Sequence, residues 1–214
     1  MIRAPFVVLA AALLASAAPP PAHDLVIRGG TIYDGSGGPP YTGDVAIKGD
    51  RIVAVGHVAG RGVREVNAGG LAIAPGFINM LSWATESLIH DPRGQSDIRQ
   101  GVTLEVMGEG WSMGPLNPEM KRKAIARQTD IRFPIGWTTL GEYLTFLEQR
   151  GTAPNVASFV GATTVRVHEL GEGNVDPSPA QLLRMRALVR QAMDEGAMGL
   201  GSSLIYAPAN FAET

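Results

Sequence analysis

A change of sequence pattern at Gly70 divides this chain into two kinds of structure. Before it, short apolar runs are broken by pairs such as Gly29-Gly30 and Gly49-Asp50, which is typical of antiparallel strands joined by tight turns. After it, apolar strands alternate with helical stretches, as in βαβ units on a parallel sheet. The pattern predicts a small β-sandwich-type domain over residues 24–70 and an α/β segment over residues 71–214.

Four strands are predicted in the α/β segment, each an apolar run of strand length. They cover residues 71–78, 102–107, 156–160 and 198–202. A complete β/α barrel typically needs about 250 residues, so this segment provides enough chain for about four of the eight units. We therefore expect the N-terminal part of an eight-stranded β/α barrel, with about half of its strands.

One helix is specified in detail by its ends. Ser178 and Gln181 fit a capping box, Pro179 suits the first helical position, and Gly196 suits the end. The apolar side chains between these ends recur at three and four residues and predict a face that lies on a sheet. These side chains are Leu182, Met185, Val189 and Met193.

The N-terminus has the pattern of a secretory signal. Arg3 supplies a positive charge, residues 6–14 an apolar run, and Ala15-Ser16-Ala17 a cleavage site. The apolar run is shorter than the roughly 20 residues that span a bilayer, so no stable membrane insertion is expected after cleavage. We expect residues 1–18 to be removed near Ala17, with export to the periplasm or the medium, and residues 19–23 to form a proline-rich linker. An uncleaved anchor or a mobile tail is the alternative.

The net charge and the absence of cysteine limit the classes of binding partner and the kinds of metal site or cross-link that this chain can have. The formal net charge is −2 without a long run of like charge, which argues against nucleic acid or an anionic membrane and favours a small molecule. The sequence contains no cysteine, so disulfides and thiolate metal ligands are excluded.

Several segments resemble one enzyme family. Ala74-Pro75-Gly76-Phe77-Ile78 resembles the strand that, in the amidohydrolase superfamily, runs Pro-Gly-Phe-Ile-Asp into a His-x-His pair. Further segments resemble its D-aminoacylase (N-acyl-D-amino-acid deacylase) branch, namely residues 24–37, 43–56, 100–103, 142–148, 155–161 and 199–206. The resemblance implies a metal-dependent hydrolase of amide C–N bonds, an N-acyl amino acid as substrate, and a divalent metal, zinc by preference, that activates water and polarises the acyl carbonyl.

The chain departs from that family at the expected metal ligands. Asn79 stands at the Asp position, and Leu81 and Trp83 stand at the two His positions, where neither side chain offers a lone pair to a cation. The family's Cys after the second strand is absent, and Ala162 follows Gly161 where the family has Gly-His-Gly. These replacements favour one metal ion over two.

Glu109 is the candidate metal ligand. Alternation along the second strand predicts that Val102, Leu104 and Val106 face the helices and that Thr103, Glu105, Met107 and Glu109 face the barrel. Glu109 then lies at the barrel mouth, near the position of the family's Cys, with a carboxylate suited to zinc. A loop or capping carboxylate is the alternative. No motif assigns a role to His168, and a surface or helix-associated position is expected for it.

Four further residues are candidates for substrate binding. Arg166 and Tyr206 suit the carboxylate of an N-acyl amino acid, and Trp83 and Trp111 suit an apolar pocket just past the strand ends. Packing or surface positions are the alternative for each. No catalytic residue is assigned.

The sequence leaves three interpretations of this chain open. The first is the deacylase-like hydrolase. The second is a non-catalytic relative whose emptied metal site binds a small apolar ligand among Leu81, Trp83, Met107 and Trp111. The third is an inactive truncated fragment.

Overall fold

The computed structural model describes residues 21–212, which form two compact units separated after Pro75. Strands and helices are both present, as the predicted α/β class requires. The predicted signal and the start of the linker lie outside the described residues. Within residues 21–212, no helix has the length and apolar character needed to cross a membrane.

The first unit is a five-stranded sheet. Its strands are β1 His23–Ile32, β2 Tyr41–Lys48, β3 Arg51–Gly56, β4 Gly62–Asn67 and β5 Ala72–Ile73. The order is β3-β2-β1-β4, with β5 also paired to β1; β2 is antiparallel to its neighbours, and β4 and β5 are parallel to β1. The described strands form one sheet with a small buried cluster of Val26, Ala46 and Val58, and that this sheet belongs to a sandwich stays a prediction.

The predicted strand over residues 71–78 is divided into two. Its first part, β5, pairs with β1, whereas β6 Phe77–Asn79 pairs with strand β7 of the second unit, Val102–Met107. Pro75, which has no N–H to donate to a ladder, lies between the two parts. The boundary between the units therefore falls after Pro75 rather than after Gly70.

The second unit contains parallel strands in sequence order. After β6 and β7 come β8 Asn155–Ser158, β9 Val160–Gly161 and β10 Leu200–Gly201. β6, β7 and β8 form one parallel sheet, and β9 and β10 form another. Phe159 links the two sheets: its N–H donates to the carbonyl of Met107, and the next N–H, of Val160, donates to Gly199. That these strands are half of an eight-stranded barrel stays a prediction.

The helices of the second unit are α1 Ser87–His90, α2 Gln95–Ile98, α3 Pro118–Arg127, α4 Leu140–Arg150, α5 Ala162–Leu170 and α6 Pro179–Asp194, followed by a 3-10 turn at Ala209–Phe211. The predicted capping box of α6 is confirmed, since Ser178 and Gln181 exchange side-chain and backbone hydrogen bonds. The predicted apolar face is partly wrong: Leu182 and Met193 are exposed. The residues that pack into the core are Met185, Leu188, Val189 and Ala192, so Leu188 and Ala192 take the places predicted for Leu182 and Met193.

The core of this unit lies between the strands and the helices. Tyr143 of α4 is completely buried, its hydroxyl donates to the carbonyl of Thr85 at 2.9 Å, and burial raises the pKa of its phenol. Met107 of β7 belongs to the same core, with its sulfur 3.8 Å from the Tyr143 hydroxyl. Met107 therefore faces the helices, and the predicted faces of this strand are reversed at this point.

Glu105 shares the face of Met107, because the two residues are two positions apart in a regular part of the strand. Its side chain is almost completely buried. One carboxylate oxygen, Oε2, accepts a hydrogen bond of 3.0 Å from Nδ2 of Asn79, and Oε1 has no partner within residues 21–212. The Asn at the family's Asp position thus supplies a partner to a buried carboxylate.

Candidate functional site

A cavity of about 1010 Å³ opens beyond the C-terminal ends of β6 and β7. The segments that follow these strands provide its floor, including Trp83, Glu109 and Trp111. Residues of α3 and the end of α5 provide its sides. Cavities at this end of parallel strands are the usual positions of active sites in β/α folds.

Hydrogen bonds to the start of α5 hold the loop that follows β7. The N–H of Thr163 donates to the carbonyl of Gly110 at 3.0 Å, and the N–H of Gly161 donates to Oγ of Ser112 at 2.9 Å. The N–H of Ser112 donates to Oγ1 of Thr164 at 2.7 Å. Ser112 and Thr164 are buried, so these bonds are protected from water and fix the course of the loop that carries Glu109 and Trp111.

Two glycines permit this close approach of backbones. A Cβ on Gly161 would collide with the backbone of Gly110, and one on Gly201 would collide with the carbonyl of Glu109. A larger residue at either position would therefore push the loop after β7 away from its neighbours.

The structure brings together three of the predicted site residues. Trp83, Trp111 and Glu109 all line the cavity, and the two tryptophan residues are 68% and 41% exposed, respectively, so both are available to a ligand. The other apolar residues of the wall are Met113, Leu116, Met120, Ala124, Ile131, Phe133, Ile135, Val167 and Leu170. The pocket proposed in the binding-protein alternative differs from this one, since Leu81 does not line it and Met107 is in the core.

Arg166 and Tyr206 do not line the cavity. Arg166 is buried, and its Nη2 donates to the carbonyl of Val175 at 2.8 Å and to that of Gly173 at 3.3 Å. The guanidinium therefore holds the turn after α5. Tyr206 is exposed in the segment after β10. The structure does not place either side chain where the sequence predicted a substrate carboxylate.

His168 and Glu169 line the cavity at the end of α5, although the sequence assigned no role to either. Nδ1 of His168 lies 3.2 Å from Oε1 of Glu169, and Nε of Arg184 donates to Oε2 of Glu169 at 2.6 Å. Burial alone raises the pKa of the Glu169 carboxyl, but hydrogen bonds from Arg184 and His168 outweigh it, and the pKa lies below its ordinary value. An adjacent His-Glu pair past a strand end was the available sequence signal.

The two cations of α3 that line the cavity, Lys123 and Arg127, are paired with carboxylates. Nζ of Lys123 lies 3.2 Å from Oε1 of Glu119 and 3.7 Å from Oε1 of Glu172, and Arg127 lies 3.1 Å from the same Glu172 oxygen. These pairs are solvent-exposed, so they contribute little to stability. These pairs do place positive and negative side chains together at one side of the cavity.

The described residues do not form a metal site on their own. Within residues 21–212, no three His, Asp or Glu side chains converge as ligands, and the sequence has no cysteine. Leu81 and Trp83 offer no donor atoms to replace the family's His pair. Among the described residues, Glu109 is therefore a cavity carboxylate without a converging ligand set, short of the three protein ligands of a catalytic zinc.

Comparison with known proteins identifies relatives along most of the chain. It is 36% identical over 200 residues to the N-acyl-D-aspartate deacylase of Alcaligenes xylosoxydans xylosoxydans, an alignment that covers 91% of this chain and 39% of the relative. It is 32% identical over 196 residues to the D-aminoacylase of the same organism, with 89% and 40% covered. The chain thus spans about two fifths of the length of these curated relatives. No family model matches it.

Solved structures agree with this relationship. The crystal structure of D-aminoacylase, described as defining a novel subset of amidohydrolases, superposes with a TM-score of 0.78 at 30% identity and covers 89% of this chain and 40% of that one. The N-acyl-D-glutamate deacylase of Bordetella bronchiseptica, solved with zinc and a phosphonate inhibitor, gives a TM-score of 0.77 at 26% identity over the same shares. Over the part of these proteins that it spans, the chain is therefore similar in sequence and fold to the D-aminoacylase subset of amidohydrolases.

Proposed function

We propose that the full-length protein hydrolyses the amide C–N bond of an N-acyl amino acid and that the cavity beyond β6 and β7 receives the substrate. The observation that carries the proposal is the position of this cavity at the C-terminal strand ends of a chain related to deacylases. Its apolar wall, with Trp83 and Trp111, suits an acyl chain.

The described residues do not provide a complete ligand set for the metal of the relatives, so no catalytic step is assigned to that metal. Glu109 is proposed as one carboxylate ligand of a single divalent ion, zinc by preference, because it is the strand-end carboxylate nearest in sequence to the family's Cys position. Within residues 21–212, no three His, Asp or Glu side chains converge, so at least one further ligand would have to come from elsewhere.

Export remains part of the proposal. It is supported by the sequence of residues 1–18, with its positive start, apolar run and small-residue cleavage site. The absence of cysteine agrees with a fold that needs no disulfide after export.

A non-catalytic ligand-binding relative is the second candidate. Leu81 and Trp83 favour it, since both replace ligands with apolar side chains and Trp83 lies in the cavity wall.

The experiment is an assay of the full-length gene product against matched N-acetyl-D- and N-acetyl-L-amino acids, with detection of the released amine. Hydrolysis of the D series is the expected result. Binding of these compounds in calorimetry without release of amine would favour the second candidate, and neither binding nor release would contradict both.

A further inference from the structure

His168 is held in the cavity wall by two contacts, and one of its two partners is itself held by a third side chain. Its Nδ1 lies 3.2 Å from Glu169 on the same helix, and its backbone carbonyl accepts a 3.0 Å hydrogen bond from the amide of Asn117, the residue that caps α3. Glu169 is in turn held by Arg184 of α6. The side chains of His168 and Glu169 are 20% and 11% exposed, so the pair is mostly shielded from bulk water but open to the cavity.

This arrangement selects one form of the imidazole. A carboxylate accepts hydrogen bonds and does not donate them, so the neutral ring places its proton on Nδ1, toward Glu169. Nε2 is then left with its lone pair, and it has no hydrogen-bond partner within residues 21–212. An orienting carboxylate on one ring nitrogen and a free second nitrogen is the arrangement used for proton transfer in many hydrolases.

We propose that His168 is a catalytic acid–base residue of this cavity and that Glu169 and Arg184 are its positioning residues. The inference rests on the proposed amide hydrolysis and adds to it a proton carrier made from this chain's own residues.

The proposed step balances without any further reactant. A water oxygen attacks the acyl carbon of the N-acyl amino acid while Nε2 takes one of the water protons. The same proton then passes from Nε2 to the amide nitrogen as the C–N bond breaks. The products are a carboxylic acid and a free amino acid, and His168 returns to its neutral form.

Other charged groups around the cavity set the field at His168. They are Glu169 on α5, Glu172 in the turn after it, Arg184 on α6, Glu119, Lys123 and Arg127 on α3, Asp130 after α3, Glu86 before α1, and Glu109 after β7. Lys123 and Arg127 are paired with Glu119 and Glu172, which leaves Glu169 as the group in direct contact with the imidazole.

Two substitutions of His168 separate a structural role from proton transfer. His168→Asn places an amide N–H where Nδ1 was, so it keeps the bond to Glu169 but has no group at the position of Nε2. His168→Gln places an amide near the position of Nε2 but cannot carry a proton. We expect both variants of the full-length protein to keep the wild-type melting temperature and to lose about 100-fold or more in kcat. His90→Gln, at an exposed histidine outside the cavity wall, is the matched control and should keep full activity.

Glu169→Gln tests the positioning role through the separate effects on kcat and KM. The neutral amide offers no negative charge to the imidazolium that forms during the step, so kcat should fall while KM and the melting temperature stay unchanged. If the wild type hydrolyses the substrates and His168→Asn keeps its activity, the acid–base role is overturned and the deacylase function stands. If the wild type hydrolyses none of the N-acetyl amino acids, the proposed function fails and the acid–base role fails with it.

Discussion

Replacing Asn79 should destabilise the protein through Glu105, because Asn79 supplies the hydrogen bond that this buried carboxylate accepts. Glu105 is 1% exposed, so water cannot substitute for the lost partner. A hydrogen bond to a charged group contributes about 1.5–3 kcal/mol, and an orphaned buried acceptor costs a similar amount. We expect Asn79→Leu, which keeps the size of the side chain, to lower the free energy of unfolding by about 2–3 kcal/mol.

The assay is urea unfolding of the full-length protein, monitored by tryptophan fluorescence. The free energies of the wild type and the variants are compared when the dependence of the free energy of unfolding on urea concentration is the same. The double variant Asn79→Leu/Glu105→Met removes the orphaned carboxylate together with its partner. It should recover most of the loss, since apolar replacement of both members of a buried polar pair is often nearly neutral. A loss below about 0.5 kcal/mol for Asn79→Leu alone, within the range of ordinary surface substitutions, would refute the reasoning.

Three further predictions concern the site, export and solubility. Glu109→Gln in the full-length protein should lower both the bound metal and the hydrolysis of N-acyl amino acids while the fold is kept. Glu148→Gln, at an exposed position on α4, is the control and should change neither. An unchanged metal content of Glu109→Gln in elemental analysis would make Glu109 a loop carboxylate. Mass spectrometry of protein from the extracytoplasmic fraction should show a new N-terminus near Ala18, and an intact Met1 in a cytoplasmic fraction would contradict export. Residues 19–214 expressed alone should aggregate or form oligomers, because Phe77, Ile78 and Leu200 of the parallel strands are each more than half exposed; a monomer with a sharp melting transition would contradict this.

Local patterns in the sequence determined two elements of the second unit. The strand at Val102–Met107 and the capping box of α6 were predicted at the residues where the structure has them, because both depend on neighbours within a few positions. The motif that begins at Ala74, together with the further matching segments, indicated the family resemblance, and the loss of the metal ligands at Leu81 and Trp83 was visible from the residue types alone.

Contacts between residues distant in sequence decided the rest. Alternation along β7 fixes which residues share a face but not which face meets the helices, and the packing of Tyr143 against Met107 settled that question. Trp83, Glu109 and His168 line the same cavity although they lie in separate parts of the chain. Arg166 does not line it, because its guanidinium donates to backbone carbonyls that no local sequence pattern reveals. His168 in particular gains its orientation from Glu169 and Arg184, whose convergence requires the packing of α6 against α5, so only the tertiary structure assigns it a chemical role.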